Sequence, residues 1–187
     1  LAPNIPQQTV ELAQLIANYE ATASENPAET AVALLREVLE LNPENPRVLY
    51  WLGDISFRRL GQREQAADFL IRCVEAQPDS IRCNALLGRV QESLDNYSSA
   101  VESLQAAVDL GSTEPRHYLW LGRSYVALGS CASAVPVMQQ GYDLSQEQSD
   151  TEALTVLAEL LAQCQAPVID AQPTEAVPES TEEAGSG

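Results

Sequence analysis

A short apolar pattern recurs in this chain at a nearly constant spacing, and that spacing restricts the fold more than any other feature. The pattern has three copies, Trp51-Leu52-Gly53, Leu86-Leu87-Gly88 and Trp120-Leu121-Gly122, and it recurs about every 34 residues. Each copy is followed by an alanine and, four positions later, a larger apolar residue, in the pairs Ala66 and Leu70, Ala100 and Leu104, and Ala134 and Met138. A fourth such pair, Ala31 and Leu35, lies one repeat length upstream. A repeat of this length predicts an array of small structural units.

The pattern also indicates what each unit is. Glycine on a first helix leaves room for a second helix to approach closely, and alanine four residues before leucine presents a small and then a large side chain to that gap. One helix pair cannot bury its apolar stripe alone, so neighbouring pairs must stack. Gly53 and Ala66 are one position further apart than the glycine and alanine of the two later copies, which predicts one extra residue in the turn near Gly61.

The order of Leu-Gly, then Ala-x3-Leu, then proline, as in Leu41-Asn42-Pro43 and Gln77-Pro78, resembles the tetratricopeptide repeat, a helix-turn-helix unit. The resemblance covers roughly residues 10 to 165. It implies an all-α fold, a right-handed superhelical solenoid of stacked helix pairs with a C-terminal capping helix. It also implies a non-catalytic scaffold for protein–protein interaction, with a protein or peptide partner in the concave groove.

The same pattern divides the chain into four regions. We expect a lead-in over residues 1–8, repeats over 9–148 and a capping helix over 149–165. The repeats fall at about 9–44, 46–79, 81–114 and 115–148, and the first is degenerate because it lacks the Leu-Gly signature. Residues 166–187 contain three prolines, five acidic residues and no basic residue, which predicts a disordered acidic tail.

The charge of the chain argues against several partners. It has 27 acidic and 10 basic residues, all of the latter arginine, for a formal net charge of −17. Nucleic acid and anionic membrane surfaces attract positive charge and are therefore not expected as general partners. No apolar run is long enough to span a bilayer, so no membrane-spanning segment is expected. The chain opens at Leu1 rather than Met, so we expect it to be processed or excised from a longer product.

The residue types for catalysis are sparse. The single histidine, His117, has no cysteine or paired carboxylate at metal-ligand spacing, and its ordinary interpretation is a packed or solvated residue near a helix start. A ligand or general base is the alternative. Gly53, Gly88 and Gly122 lie in helix interiors, which makes them packing residues and not a phosphate-binding loop. We therefore expect no enzyme activity, no cofactor and no metal site.

The four cysteines fall into two candidate pairs. Cys73 lies late in one predicted helix and Cys83 early in the next, while Cys131 begins a helix and Cys164 ends the capping helix. Each pair therefore lies at one end of neighbouring antiparallel helices, which suits two disulfides and an oxidising compartment. The alternative is four small buried thiols, since cysteine fits where alanine does. An extracytoplasmic location, periplasmic or secreted, is favoured if the cysteines pair, and a cytoplasmic one if they do not.

Arginine is concentrated on one predicted surface. In repeats of this family the first helices line the concave face, and counting from the Leu-Gly marker implies three sets of inward positions: Arg47, Tyr50, Trp51, Asp54, Phe57 and Arg58; Arg82, Ala85, Leu86, Arg89, Glu92 and Ser93; and Arg116, Leu119, Trp120, Arg123, Val126 and Ala127. Six of the ten arginines lie here with only two acidic residues. Arginine suits carboxylates and the aromatic rings offer flat apolar contact, which predicts an acidic ligand with apolar anchors.

Three other interpretations of this groove stay open. Some family members hold a C-terminal carboxylate with Lys and Asn, but Tyr50 and Asp54 stand at those positions here. The arginines could instead pair with Asp54, Glu92 and other local carboxylates and only keep the surface soluble. The chain could also be a regulatory or assembly segment of a larger enzyme or cell-envelope complex, with the acidic tail lying in the groove until displaced.

Overall fold

The computed structural model describes residues 27–165, whose regular secondary structure is entirely helical. Eight helices follow one another: α1 (Pro27–Leu41), α2 (Pro46–Arg58), α3 (Arg63–Ala76), α4 (Ile81–Ser93), α5 (Tyr97–Asp109), α6 (Pro115–Ala127), α7 (Cys131–Gln148) and α8 (Thr151–Gln165). The lead-in at 1–8, the part of the first predicted repeat that precedes residue 27 and the tail at 166–187 lie outside the described residues. No helix within residues 27–165 is both long and apolar enough to cross a membrane.

Short polar residues and prolines set where the helices begin. The side chain of Asn45 accepts hydrogen bonds from the backbone N–H groups of Arg47 and Val48, at 3.1 and 3.3 Å, and Pro46 occupies the first turn of α2. Ser80 caps α4 in the same way, through the backbone N–H of Cys83 at 3.3 Å. Such caps satisfy N–H groups that have no partner inside the helix.

Left-handed backbone closes the turn inside each helix pair. Gly61, Asp95 and Gly129 have φ angles of +66°, +59° and +70°, and they occupy equivalent places in the turns after α2, α4 and α6. Asp95 and Gly129 are each the second residue after their helix, whereas Gly61 is the third after α2. The extra residue predicted near Gly61 is therefore present, and the turn accommodates it without altering the helices on either side.

Helical glycines bring paired helices into close contact. A Cβ atom added to Gly53 would lie 2.6 Å from Leu70 Cγ, and one added to Gly88 or Gly122 would overlap Leu104 or Met138. These are the apolar partners that follow each Leu-Gly marker, so the predicted packing is confirmed. Gly141 of α7 behaves similarly against Tyr118, whose Cβ would lie 2.6 Å away, although no sequence marker singles it out.

The helices form two rows, and the stack is an α-solenoid. Helices α2, α4, α6 and α8 each contact the next member of their row. Within residues 27–165, helices α1, α3, α5 and α7 make no such contact with one another. Closer spacing in the first row curves the stack toward it, so we call this row the inner row. Its helices pack against the outer row through a core of fully buried side chains that includes Leu35, Leu49, Leu52, Leu70, Leu104, Leu121, Met138 and Leu157.

Helix α8, the predicted capping helix, extends the inner row. Ala153, Leu157 and Leu161 are buried against α6 and α7, while Glu159 and Gln163 on the outward side are exposed. Helix α7 ends at Gln148, which coincides with the predicted end of the last repeat, and Pro136 lies inside it on an exposed position.

Two cysteine pairs link neighbouring helices. The sulfurs of Cys73 in α3 and Cys83 in α4 lie 2.05 Å apart, with a Cα separation of 5.9 Å. Those of Cys131 in α7 and Cys164 in α8 lie 2.02 Å apart, with a Cα separation of 5.3 Å. Both Cα separations are within the range that a disulfide requires. The first pair joins two consecutive repeats, and the second joins the capping helix to the helix before it.

Candidate functional site

The inner row carries two adjoining cavities. The first, of about 470 Å³, we call the aromatic cavity, and it is lined by Phe57, Arg58, Arg89, Glu114, Arg116, His117 and Trp120. The second, of about 440 Å³, we call the distal cavity, and it is lined by Arg63, Arg89, Glu92, Ser93, Asp95, Tyr97, Arg123, Val126, Ala127 and Leu160. Arg89 lines both cavities, so they share one wall.

Three consecutive inner helices build the aromatic cavity. Phe57 and Arg58 come from the end of α2, Arg89 from the middle of α4, and Trp120 from α6. The guanidinium carbon of Arg89 lies 5.3 Å from the centre of the Trp120 ring, a cation–π contact. Counted from the glycine of each Leu-Gly marker, Phe57 lies four positions later, Arg89 one position later and Trp120 two positions earlier, so the three helices contribute different positions of the repeat.

His117 contributes a neutral ring to the aromatic cavity. Its Nδ1 atom lies 2.6 Å from Ser112 Oγ, and its ring centre lies 5.6 Å from that of Trp120. Burial lowers the pKa of His117 to about 4, so the imidazole is uncharged at neutral pH. The charges that line the cavity are therefore those of Arg58, Arg89, Arg116 and Glu114, an excess of positive charge.

Glu92 connects two of the inner arginines. It is only 5% exposed, and its carboxylate contacts Arg89 Nη1 at 2.6 Å through one oxygen and Arg123 Nε at 3.0 Å through the other. Arg89 lies on the same helix, α4, whereas Arg123 lies on α6. One buried carboxylate thus holds two guanidinium groups across the junction between repeats.

The remaining inner arginines differ in their partners. Arg58 contacts Asp54 at 2.6 Å, and Arg116 contacts Glu152 and Asp150 at 3.0 and 3.5 Å. Burial raises the pKa of Asp54, and Arg58 partly offsets that effect. Local pairing, which the sequence left open as an alternative, therefore occurs for four of the six predicted arginines. Arg47 and Arg82 are exposed and form no ion pair within residues 27–165.

The predicted groove residues are not all on one accessible surface. Leu119 is 8% exposed and packs in the core with Met138 and Leu157, so it is not available to a ligand, which corrects its predicted position in the groove. Ala85 and Leu86 are likewise buried. The Leu-Gly marker counts positions along the helix, but α8 covers the side of α6 on which Leu119 lies.

Tyr50 and Trp51 line neither the aromatic cavity nor the distal cavity. Their rings meet edge to face with centroids 5.5 Å apart, and both are half-buried against the core of the first repeats. Burial also raises the pKa of Tyr50, with Asp54 adding to that effect. The predicted apolar anchors that reach a cavity are therefore Phe57 and Trp120.

Several cavity residues were missed by counting along the first helices. Arg63 begins α3 and donates to the backbone carbonyl of Ser93 at 2.9 Å. Asp95 comes from the turn after α4, and Tyr97 begins α5. Leu160 belongs to the capping helix. Treating the capping helix as a further member of the inner row would have found Leu160, whereas the residues in and around the turns carry no repeat signal.

Comparisons with known proteins agree with the architecture. Two family models, both described as tetratricopeptide repeat, match residues 22–90 and 85–149. No curated protein matches the chain.

Several solved structures share the fold. A structure of MamA from Desulfovibrio magneticus RS-1, spanning residues 41 to the end, is 19% identical with a TM-score of 0.63, covering 82% of this chain and 92% of that one. Another MamA crystal structure is 16% identical with a TM-score of 0.62, covering 89% and 98%. MamA AMB-1 is 24% identical with a TM-score of 0.60, covering 73% and 78%. At such identities the likeness concerns the fold alone.

Proposed function

The chain belongs to the tetratricopeptide repeat family, and on this premise we propose that its inner face binds an acidic segment of a partner protein that also carries apolar side chains. Membership of the family supports a protein–protein interaction scaffold. The acidic and apolar character of the proposed ligand rests on the aromatic cavity, where arginines from three consecutive helices of the inner row surround Phe57 and Trp120.

The arginines remain able to bind although several of them have local partners. A guanidinium has five N–H donors, and a single carboxylate oxygen uses one or two of them. The side chains of Arg58 and Arg116 are 58% and 49% exposed despite their ion pairs. Exposed ion pairs contribute little stability, so a ligand carboxylate can compete with or join them at small cost.

The apolar part of the ligand has a matching surface. Trp120 and Phe57 are half-buried, so each presents a ring face or edge to the aromatic cavity. Partly buried aromatic residues next to arginine are typical of positions that dominate binding energy in interfaces. An acidic and apolar segment therefore satisfies both kinds of lining, whereas a purely acidic one leaves the rings uncovered.

The experiment compares charge-matched double variants. The probe is a labelled peptide of alternating Glu and Leu, with its Gln and Leu counterpart as a neutral reference. We expect Arg58→Ala with Arg116→Ala to weaken binding of the acidic peptide about tenfold, or about 1.4 kcal/mol. The control, Arg36→Ala with Arg72→Ala, removes the same charge from outer-row helices. Equal affinities of both double variants for the acidic peptide would contradict the proposal.

We also propose that the protein works in an oxidising compartment, outside the cytoplasm. The support is the approach of both cysteine pairs to disulfide distance. Structural disulfides persist in secreted and periplasmic settings and are rare in the cytosol.

A second candidate function is regulatory, with the acidic tail as a competing occupant of the inner face. The observation that favours it is the position of Leu160, which lines the distal cavity about one turn before α8 ends at Gln165. The tail that follows, residues 166–187, carries five acidic and no basic side chains. Such a tail would suit a regulatory or assembly segment of a larger enzyme or cell-envelope complex, in which a partner displaces the tail.

A further inference from the structure

Glu92 lies where the two cavities meet. It lines the distal cavity together with Arg123, and its partner Arg89 lines both cavities. Each of its carboxylate oxygens contacts a different arginine, Arg89 at 2.6 Å and Arg123 at 3.0 Å. The side chain is buried while both guanidinium groups reach the surface.

Burial of this carboxylate is costly unless charged partners surround it. A buried charge without partners is strongly unfavourable, and here the two arginines provide the compensation. In return the carboxylate restricts both arginine side chains, which are otherwise among the most flexible. The ring of Trp120 restricts Arg89 further, since its guanidinium carbon lies 5.3 Å from the ring centre. The arrangement therefore fixes two cationic groups before any ligand arrives.

The two arginines retain donors on their other edges. The ion pairs of Glu92 run to Nη1 of Arg89 and to Nε of Arg123. In the part of the chain that the structure describes, the terminal nitrogens of Arg123 and the Nη2 of Arg89 have no hydrogen-bond partner. The three side chains together carry a net single positive charge, and both arginines line the distal cavity.

We propose that Glu92 is a positioning residue that orders Arg89 and Arg123. The inner face then forms two anion subsites that share Arg89. Together the two subsites accept a partner segment with two acidic side chains. This inference rests on the proposed function and specifies the ligand further. One acidic group lies in the aromatic cavity near Arg89 and Arg116, and the other lies in the distal cavity near Arg89 and Arg123. Apolar residues of the same segment cover Phe57 on one side or Leu160 on the other.

The direction in which the affinity for an acidic ligand changes distinguishes a positioning role of Glu92 from a simple charge effect. Removing a negative charge from a basic surface strengthens binding of an acidic ligand if charge alone matters. Glu114→Gln removes such a charge from the aromatic cavity, where Glu114 forms no ion pair with described residues, so we expect tighter binding. Glu92→Gln keeps the shape but removes the charge and replaces one of the two acceptor oxygens with an NH2 group, so the two arginines are no longer held together, and we expect about tenfold weaker binding of a peptide with two acidic residues.

The measurement is a titration of both variants and the native protein with that peptide, with thermal unfolding recorded in parallel. Tighter or unchanged binding by a folded Glu92→Gln variant would overturn the inference. If the acidic peptide binds the native protein and the Arg58 and Arg116 double variant weakens it, the proposed function stands even when the inference fails. Absence of binding to the native protein would overturn both.

A second measurement does not depend on how Glu92→Gln folds. Peptides with both acids, with either one alone, and with neither are titrated against Arg89→Ala, Arg116→Ala and Arg123→Ala. We expect Arg89→Ala to reduce the contribution of both acidic residues to the binding free energy. Arg116→Ala should reduce the contribution of one acidic residue, and Arg123→Ala that of the other. Loss of the same single acid in all three variants would overturn the shared subsite.

Discussion

At the scale of single residues, three helical glycines decide how closely the paired helices approach. The three atoms nearest to an added Cβ at Gly53 all belong to the side chain of Leu70, whereas those nearest to one at Gly88 include the backbone oxygen of Ala100 and the backbone nitrogen of Leu104, each at 3.1 Å. A side chain can rotate away, but helical backbone moves only with its whole helix. The two positions therefore share a sequence signature and differ in how much they tolerate.

This difference predicts the outcome of two equivalent substitutions. We expect Gly88→Ala to lower the free energy of unfolding by about 1–3 kcal/mol through overpacking. Gly53→Ala should cost less, because Leu70 can adjust and alanine favours helix over glycine by about 1 kcal/mol. Urea unfolding of both variants gives the comparison, with Ser98→Ala on the exposed side of α5 as a control that stays close to the native value. A larger loss in Gly53→Ala would contradict this account.

The repeat pattern predicts some of the cavity residues but not which inward positions are buried. Phe57, Arg58 and Trp120 are inward positions by the count from the Leu-Gly marker, and all three line the aromatic cavity. Leu119 satisfies the same count yet is buried, because a later helix covers it. Its burial depends on the neighbour that follows, and the local pattern contains no information about that neighbour.

At the scale of elements, the capping helix depends on few neighbours. Helix α8 packs against α6 and α7 and has no following helix within the described residues. In a repeat array each unit is stabilised by its neighbours, so a helix with few packed neighbours opens more easily than one in the middle of the stack. The Cys131 and Cys164 pair, 33 residues apart in sequence, joins its far end to the start of α7.

We expect this second cysteine pair to hold the end of the array closed. Replacing Cys131 and Cys164 with alanine should lower the free energy of unfolding by up to about 4 kcal/mol, from the chain-entropy relation for a loop of this length. Hydrogen exchange should show the loss of protection first in α8. Reductant should destabilise the native protein more than this variant, because the variant retains only the Cys73 and Cys83 pair. Four free thiols in the native protein would contradict both this prediction and the proposed compartment.

At the scale of the whole molecule, the charge is unevenly distributed. The chain has a formal net charge of −17, yet each of the two cavities is lined by three arginines. Two acidic residues line the distal cavity and one lines the aromatic cavity, so both retain a positive excess. A protein with this distribution repels acidic molecules at long range while attracting them locally, and an acidic segment of its own chain has the advantage of high effective concentration.

The tail therefore supplies a prediction for the molecule as a whole. If it competes for the inner face, deleting residues 166–187 should raise the affinity for the acidic peptide about tenfold at low salt, and less as salt screens the interaction. A length-matched control should behave like the deletion. It converts the five acidic residues of the tail to amides, at Asp170, Glu175, Glu179, Glu182 and Glu183. Unchanged affinity in both variants would count against self-occlusion and leave the partner-binding proposal intact.

The sequence by itself determined the repeat, the helix pairs, the glycine contacts and the enrichment of arginine on the inner row. These follow from spacing, because a helix places residues at fixed intervals on one face and a stacked array aligns equivalent faces. The extra residue near Gly61 was predictable for the same reason: it changes a spacing.

Only the tertiary structure decided which charges meet and which surfaces stay open. Glu92 was an ordinary inward position in the sequence, but in the folded chain it is buried between Arg89 and Arg123 on two different helices. Arg116 finds its partners at Asp150 and Glu152, a full repeat length away along the chain. Such contacts depend on how one helix lies against the next, and the relative placement of helices emerges only when the whole stack is assembled.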